Sequence, residues 1–349
     1  VLGHSHPRII ETILKQSSQL LSHGNLFTSL PQIELAELLI EISIPGVVFF
    51  CHSGAEADEA ALKLVRKATS AKRHKIISFE NCFHGRTMGG LSLCPPSFQQ
   101  SFKPMLPGNI LLPFNDLDAV TKTLEKDEEV AGIFIEPIQG EGGINESTID
   151  FMKGLRMLCD KHGILLVCDE VWSAPARTGK WFAYQRYDIK PDAITCAKAI
   201  GGGVPLACCI IAEKWKAVLG PGSHGCTMGG NPLAAACGLT TLQFAKEEKL
   251  TDAANKIESF VKKFFSEHKD ICSEELLVKG KGALLGVKLA DSIQASDVAK
   301  HCIASGVFVC AAKQNVLRLA PPLIIEEALL TKGLELIASS INKISNITS

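Results

Sequence analysis

The stretch from Gly163 to Gly203 constrains the fold more tightly than any other. It opens GILLVCDEV, an unbroken apolar run that ends in Asp169 and Glu170. A short run that is apolar throughout is the pattern of a parallel strand covered on both faces. In an open α/β sheet the ligand crevice lies beyond the carboxyl ends of such strands, which is where this run puts Asp169. After the polar turn that ends at Asp192 a second apolar strand, Ala193 to Cys196, leads to Lys198 and the glycines 201–203. A lysine set between small residues, before a loop almost without side chains, lets a bulky group approach its amine.

An acid at one strand end and a lysine at a nearby one suggest a specific pairing. An aromatic aldehyde joined as an imine to Lys198 has its ring nitrogen kept protonated by Asp169, which makes the ring an electron sink. Pyridoxal 5'-phosphate (PLP) is held in this way. The same two residues also fit plainer roles, because buried strand-end aspartates cap loops and most lysines are solvated.

A chain of 349 residues is long enough for a large core and for two domains. Its net charge of −1 carries no electrostatic footprint for nucleic acid or an anionic membrane. No apolar run approaches the ~18 residues that span a bilayer. The 13 cysteines are scattered through strand-like runs (Cys51, Cys168, Cys196, Cys208, Cys209), and no spaced pairs suggest zinc, so no metal is expected. They read as reduced core thiols of a cytoplasmic protein, or of an organelle matrix if a leader has been removed. The chain starts at Val1 and is expected to be a truncated or processed product.

Helical spacing marks residues 7–22 and 31–44, each with a leading proline. Strands are expected at 46–50, 75–79, 131–137 and 207–212, a helix at 148–162, and loop from 88 to about 113. Ser53, Gly54 and Ala55 open the helix after the first strand, where free N–H groups and the helix dipole favour an anion such as phosphate. After 212 a glycine-rich loop, GPGSHGCTMGG, precedes a helix of small residues. From about 248 charged amphipathic helices (251–268, 295–305, 325–345) alternate with short strands. The expected division is an N-terminal helical segment (1–45), a large α/β domain with a mostly parallel sheet (46–247) and a smaller α+β domain (248–349).

Ordered motifs run along nearly the whole chain: GHSHP (3–7), CHSGAEADEAALKL (51–64), FENCFHGRT (79–87), EPIQGEGG (136–143), LCDKHGILLVCDEV (158–171), ARTGKWFA (176–183), PDAITCAKAIGGGVP (191–205), PGSHGCTMGGNPLA (221–234) and LRLAPPL (317–323). In order and spacing they resemble the class III (subgroup II) PLP-dependent aminotransferases, most of all their acetylornithine branch, with the ornithine branch close behind. The resemblance implies the PLP-dependent transferase fold type I: a large domain on a seven-stranded sheet, a smaller C-terminal domain, and a homodimer with shared active sites.

It also implies roles. Lys198 binds the cofactor and, as a free amine, shuttles a proton, with Asp169 on the ring nitrogen. Ser53, Gly54 and Ala55 cradle the phosphate, and Thr227 reaches across from the partner subunit to complete the cradle. Phe83 stacks on the ring, and His84 and Trp172 belong to the same cofactor-binding set. Arg86 holds the substrate's α-carboxylate. Arg318 holds 2-oxoglutarate and pairs with Glu141 when that acid is absent, since a guanidinium grips a carboxylate with two parallel bonds.

Several positions depart from the family pattern. The central motif reads DEVW where a glutamine is usual, so Trp172 brings one donor, no acceptor and far more bulk. Pro175 stiffens the turn before Arg177. Asp58 stands where asparagine is common, and His52 sits at a variable place. The segment that precedes GHSHP in the family, and contributes there to the dimer interface and pocket, is absent. The expected reaction moves the ω-amino group of N-acetylornithine to 2-oxoglutarate, within arginine biosynthesis. Ornithine, succinylornithine and 4-aminobutyrate are the alternative donors, and a catalytically weak PLP-fold protein kept for binding or assembly is the alternative of another class.

Overall fold

The computed structural model describes residues 1–24, 26–268, 276–313 and 315–348. Its first strands are β1 (Gly46–Cys51), β2 (Lys75–Phe79), β3 (Asn109–Leu112), β4 (Val130–Ile135), β5 (Ile138–Gln139), β6 (Asn145–Glu146), β7 (Leu165–Asp169), β8 (Ala193–Cys196) and β9 (Ala207–Ala212). All but β5 and β6 join a seven-stranded sheet in the order β1-β9-β8-β7-β4-β2-β3. Only β9 runs against its neighbours, so the sheet is mostly parallel, as expected. The interleaved helices are α1 (Pro7–Ser17), α2 (Leu30–Ile42), α3 (Gly54–Ala68), α4 (Met88–Leu93), α5 (Pro96–Gln99), α6 (Leu117–Lys126), α7 (Ile149–His162) and α8 (Pro232–Glu247).

The period of two along each central strand divides the core between the two faces of the sheet. Ile133, Ile135, Leu166, Cys168, Ile194, Cys196, Cys208 and Ile210 point one way, into a cluster shared with Leu35 and Leu39 of α2 and Phe151 of α7. Phe134, Leu165, Val167, Ala193, Cys209 and Ile211 point the other way, against Ala60, Ala61, Leu64 and Val65 of α3. Every residue of β4, β7 and β8 is buried, which is why these strands read as continuous apolar runs. The edge strand β3 is only half-buried.

Two expectations are corrected here. The stretch 88–113 is not loop: it contains α4, α5 and β3, the last paired in parallel with β2. Its prolines and glycine hid a strand only four residues long. The first helix ends at Ser17 rather than at 22, where the Gln16 side chain turns to donate to the Leu20 carbonyl at 2.9 Å.

The rest of the chain builds a second sheet from β10 (Leu277–Lys281), β11 (Leu284–Lys288), β12 (Cys310–Ala312) and β13 (Val316–Leu319), antiparallel in the order β10-β11-β13-β12. Helices α9 (Leu250–Glu267), α10 (Ala295–Ala304) and α11 (Glu327–Thr348) cover it. Val261, Phe264, Leu285, Val287, Leu317, Leu319, Leu334 and Ile341 form its core. The β5–β6 hairpin of the first half docks on this sheet, packing Ile138 and Ile144 against Leu284 and Val316. Lys279 Nζ donates to Asn145 Oδ1 at 2.9 Å, and the Gly280 N–H to Glu146 Oε1 at 2.7 Å.

Candidate active site

The carboxyl ends of β7 and β8 open onto a cavity of about 690 Å³ lined by Ser53, Gly54, Ala55, Phe83, Arg86, Glu141, Asp169, Trp172 and Lys198, among others. Chain direction accounts for most of this. Parallel strands put Asp169 and the residues after Cys196 at one edge, and the β1–α3 turn arrives at the same edge.

Ser53 caps α3 through a capping box. Its Oγ accepts from the Glu56 N–H at 3.3 Å, and Glu56 Oε2 accepts from the Ser53 N–H at 2.9 Å. Gly54 and Ala55, the first two helical residues, keep N–H groups that have no acceptor within the helix. The walls of this turn are close. A Cβ on Gly54 would lie 2.8 Å from Val171 Cγ1, and one on Gly85 would lie 2.7 Å from Ala55 Cβ.

Asp169 is 4% exposed, and both its oxygens accept hydrogen bonds: Oδ2 from His84 Nδ1 at 2.8 Å, Oδ1 from the Val171 N–H at 3.0 Å. His84 is fully buried and touches Asp169 from behind, outside the cavity lining. Burial alone would lower its pKa, but the neighbouring Cys82 sulfur and the Asp169 carboxylate outweigh burial and raise it. Two further acids stand close by. Asp58 is 2% exposed, and burial, reinforced by Asp169, raises its pKa well above the ordinary value. Burial, again with Asp169, pushes Glu136 up to about 7. The Glu136 carboxylate accepts from the Phe83 N–H at 2.8 Å and the Gly140 N–H at 3.0 Å, tying two walls of the cavity together.

Lys198 opens a short 3₁₀ turn at φ +48°, a left-handed backbone that costs a non-glycine residue about 1–3 kcal/mol and needs its surroundings to hold it. Its side chain is reachable from the cavity, yet the protein around it removes enough water to lower its pKa. The carboxylates of Asp169, Glu136 and Glu141 pull the other way, and Arg318 adds to the lowering. Two cations approach the Trp172 ring, with Lys198 Nζ 4.4 Å and Arg318 Cζ 4.3 Å from its centroid.

The indole N–H of Trp172 donates to Glu141 Oε1 at 3.1 Å, and Arg318 Nη1 lies 2.9 Å from the same oxygen. Burial raises the Glu141 pKa, but Arg318 and the indole outweigh it and the net direction is down. A methyl group on Gly140 would sit 2.5 Å from Trp172 Cδ1, so this glycine makes the room the tryptophan needs.

The structure therefore brings Ser53, Gly54, Ala55, Phe83, Arg86, Glu141, Asp169, Trp172 and Lys198 to one cavity. Arg318 reaches Glu141 from β13 while lining an adjoining apolar cavity. Two residues fall elsewhere. His84 lies behind Asp169, and Thr227 is exposed and does not line this chain's cavity. Phe98, Glu136 and Lys313 line the cavity and were not singled out from the sequence. Of these only Glu136 had a signal, as a charged residue closing an apolar strand.

Comparison with known proteins gives one consistent answer. Residues 1–341 match the family model for class-III aminotransferases. The acetylornithine aminotransferase of Caldanaerobacter subterraneus is 39% identical over 98% of this chain and 88% of its own length. That of Aquifex aeolicus is 41% identical over 93% of this chain and 85% of its own. The ornithine aminotransferase structure from Toxoplasma gondii, in which PLP partly occupies the active site, superposes with a TM-score of 0.92 at 30% identity, covering 99% of this chain and 84% of that one.

Proposed function

The chain belongs to the class-III aminotransferases, and from that premise we propose that it moves the ω-amino group of N-acetylornithine to 2-oxoglutarate. The products are N-acetylglutamate 5-semialdehyde and glutamate, a step of arginine biosynthesis. The cofactor is PLP, as in the rest of the family. The observation that carries the reading is the single cavity on which Lys198, Asp169 and the α3 N-terminus converge. A phosphorylated aromatic aldehyde needs an amine, an anion for its ring nitrogen and a seat for its phosphate, and the residues present fit all three.

Gly54 and Ala55 would hold the phosphate through the N–H groups that α3 leaves unpaired, beside Ser53, whose own N–H is taken by Glu56. The tight Gly54 and Gly85 contacts keep that seat free of side chains. Phe83 would lie against the ring. When bound, PLP supplies the electron sink that lets a proton leave the carbon carrying the amino group. Lys198 Nζ would take and return that proton, a task suited to an amine whose pKa is lowered. Asp169, fixed by His84 and Val171, would supply the negative charge for the ring nitrogen.

Arg86 would grip the α-carboxylate of the donor. Arg318, paired with Glu141 while the uncharged part of the donor occupies the pocket, would release it when 2-oxoglutarate brings a second carboxylate. Trp172, with its N–H fixed on Glu141, walls the space between Lys198 and Arg318.

We assign Thr227 to the phosphate of a second copy's cofactor, in a homodimer with shared sites. Its exposure outside its own cavity supports this, as does the exposed apolar side chain of its neighbour Met228. No described helix is long and apolar enough to cross a membrane. Buried free thiols such as Cys168 and Cys208 support a reducing compartment, the cytoplasm or an organelle matrix.

The test is a panel of amino donors with 2-oxoglutarate. N-Acetylornithine is expected to give the highest kcat/KM, and Lys198→Ala to remove both turnover and the visible absorbance of the bound cofactor. A higher value for ornithine, succinylornithine or 4-aminobutyrate overturns the donor assignment. The indole N–H that points to Glu141 also favours a second reading, a PLP-binding protein of weak catalysis. In that case no donor reacts and Trp172→Gln raises turnover.

A further inference from the structure

We propose that His52, Glu56 and Cys226 form a binding site for a soft divalent metal ion of the zinc class. No sequence pattern marks such a site, because His52 and Cys226 lie 174 positions apart and no cysteine pair has metal-ligand spacing. In the fold the loop before α8 folds back onto the β1–α3 turn, and the three donor atoms converge. His52 Nδ1 is 3.3 Å from Glu56 Oε1 and 3.2 Å from Cys226 Sγ, and Sγ is 3.7 Å from the same Oε1.

Those separations are close to the edges of a metal tetrahedron. Zinc bonds of about 2.3 Å to sulfur and about 2.0–2.2 Å to nitrogen and oxygen, at the tetrahedral angle, put nitrogen and oxygen about 3.4 Å apart and sulfur about 3.6 Å from either. A cysteine–histidine–acid relay is the competing reading, and the geometry argues against it. A relay uses the two imidazole nitrogens in turn, whereas here the thiol and the carboxylate both meet Nδ1.

The carboxylate is also supported as metal ligands are. Glu56 Oε2 accepts from the His52 N–H at 3.0 Å, the Ser53 N–H at 2.9 Å and the Ser53 hydroxyl at 2.9 Å, which leaves Oε1 aimed at the cluster. All three side chains are half-buried, so an ion can enter and keep a water as its fourth ligand. The Cys226 thiol gives up its proton to solvent as the metal binds. The bound ion would clamp the loop that carries Thr227 to the turn that carries Ser53. Its bearing on the cofactor rests on the reading above, whereas the binding itself does not.

The test titrates the metal-stripped holoenzyme with Cd²⁺, whose ultraviolet thiolate band is clear of the cofactor's visible absorbance. One Cd²⁺ per chain is expected, displaced by Zn²⁺. Cys226→Ser should lose the band and weaken Zn²⁺ binding by more than the roughly 10–100-fold that loss of an outer-sphere partner costs. His52→Ala should weaken it comparably, and Cys310→Ser, at an exposed thiol, should not. Zn²⁺ should also protect Cys226 of the unaltered protein from alkylation, which keeps the test open should a variant misfold. A band that persists in Cys226→Ser, the absence of any saturable band, or alkylation of Cys226 unaffected by Zn²⁺ each overturns the proposal.

Discussion

Glu141→Gln removes a charge while keeping the side chain's shape, so it isolates what the Glu141–Arg318 pair does. The pair closes at 2.9 Å, with the Arg318 side chain 11% exposed and that of Glu141 38% exposed. It therefore lies between an exposed pair, worth about 0–1 kcal/mol, and a buried one, whose disruption costs about 3–5 kcal/mol. Solvent screening on the Glu141 side brings the figure to about 1.5–2 kcal/mol. Glutamine still accepts a hydrogen bond from Arg318, and taking about 0.5–1.5 kcal/mol for it leaves a net release of about 0–1.5 kcal/mol.

A carboxylate of 2-oxoglutarate that must displace Glu141 from Arg318 then binds more tightly in the variant, by up to about tenfold. The donor half-reaction should respond in the opposite sense, because Arg318 is left uncompensated when the cationic amine enters. Steady-state kinetics with each substrate varied in turn separates the two KM values. The KM for 2-oxoglutarate should fall and that for N-acetylornithine should rise. If both constants move together, or neither moves, Arg318 does not receive the acceptor's carboxylate and the exchange of partners at Glu141 is wrong.

Other consequences are open to the same kind of check. Asp58 has a folded-state pKa above its unfolded value near 3.8, so folding takes up a proton, and its contribution to stability falls as pH rises from about 4 towards the raised value. Asp58→Asn should therefore raise the thermal midpoint at neutral pH by an amount that shrinks towards pH 4, and a constant difference across that range would refute the sign. Gly140→Ala pushes a methyl group to 2.5 Å from Trp172 Cδ1, so denaturant titration should show a loss of about 1–3 kcal/mol, together with a raised KM for 2-oxoglutarate. Phe134→Ala, at a fully buried ring packed edge-on to His84, should cost about 3–5 kcal/mol in the same titration, and a loss below about 1 kcal/mol would mean that the sheet collapses around the gap.

The parts of the fold legible in the sequence are those whose burial is complete. β7 and β8 are covered on both faces, so their residues could only be apolar, and the polar residues that break the runs mark the edge where the cavity opens. β3 and β10 were not legible. One is a half-buried edge strand of four residues, and the other carries lysines and a glycine because it too lies at an edge. Within the site, Asp169 and Lys198 announced themselves by ending apolar strands.

Glu136 does the same, but its hydrogen bonds to Phe83 and Gly140 join segments far apart in the chain, and no local pattern records such a meeting. In the sequence Asp58 stands out only as a departure from a motif. Its acidity matters because α3 turns it towards Asp169, which follows from the packing of helix on sheet rather than from spacing. His84 was grouped with the cofactor-binding residues from its motif, and only the fold shows that it stands one layer back, against the far side of Asp169.

The salt link between β13 and the glycine-rich turn joins parts of the chain that rest on different sheets. Arg318 is anchored in the four-stranded sheet, whereas Lys198 and Asp169 are anchored in the seven-stranded one. If Arg318 grips the keto acid as proposed, warming that loosens the smaller body first would blunt that grip while the lysine and its aspartate stay in register. Such an enzyme fails by halves: it still accepts an amino group from its donor but can no longer pass it on.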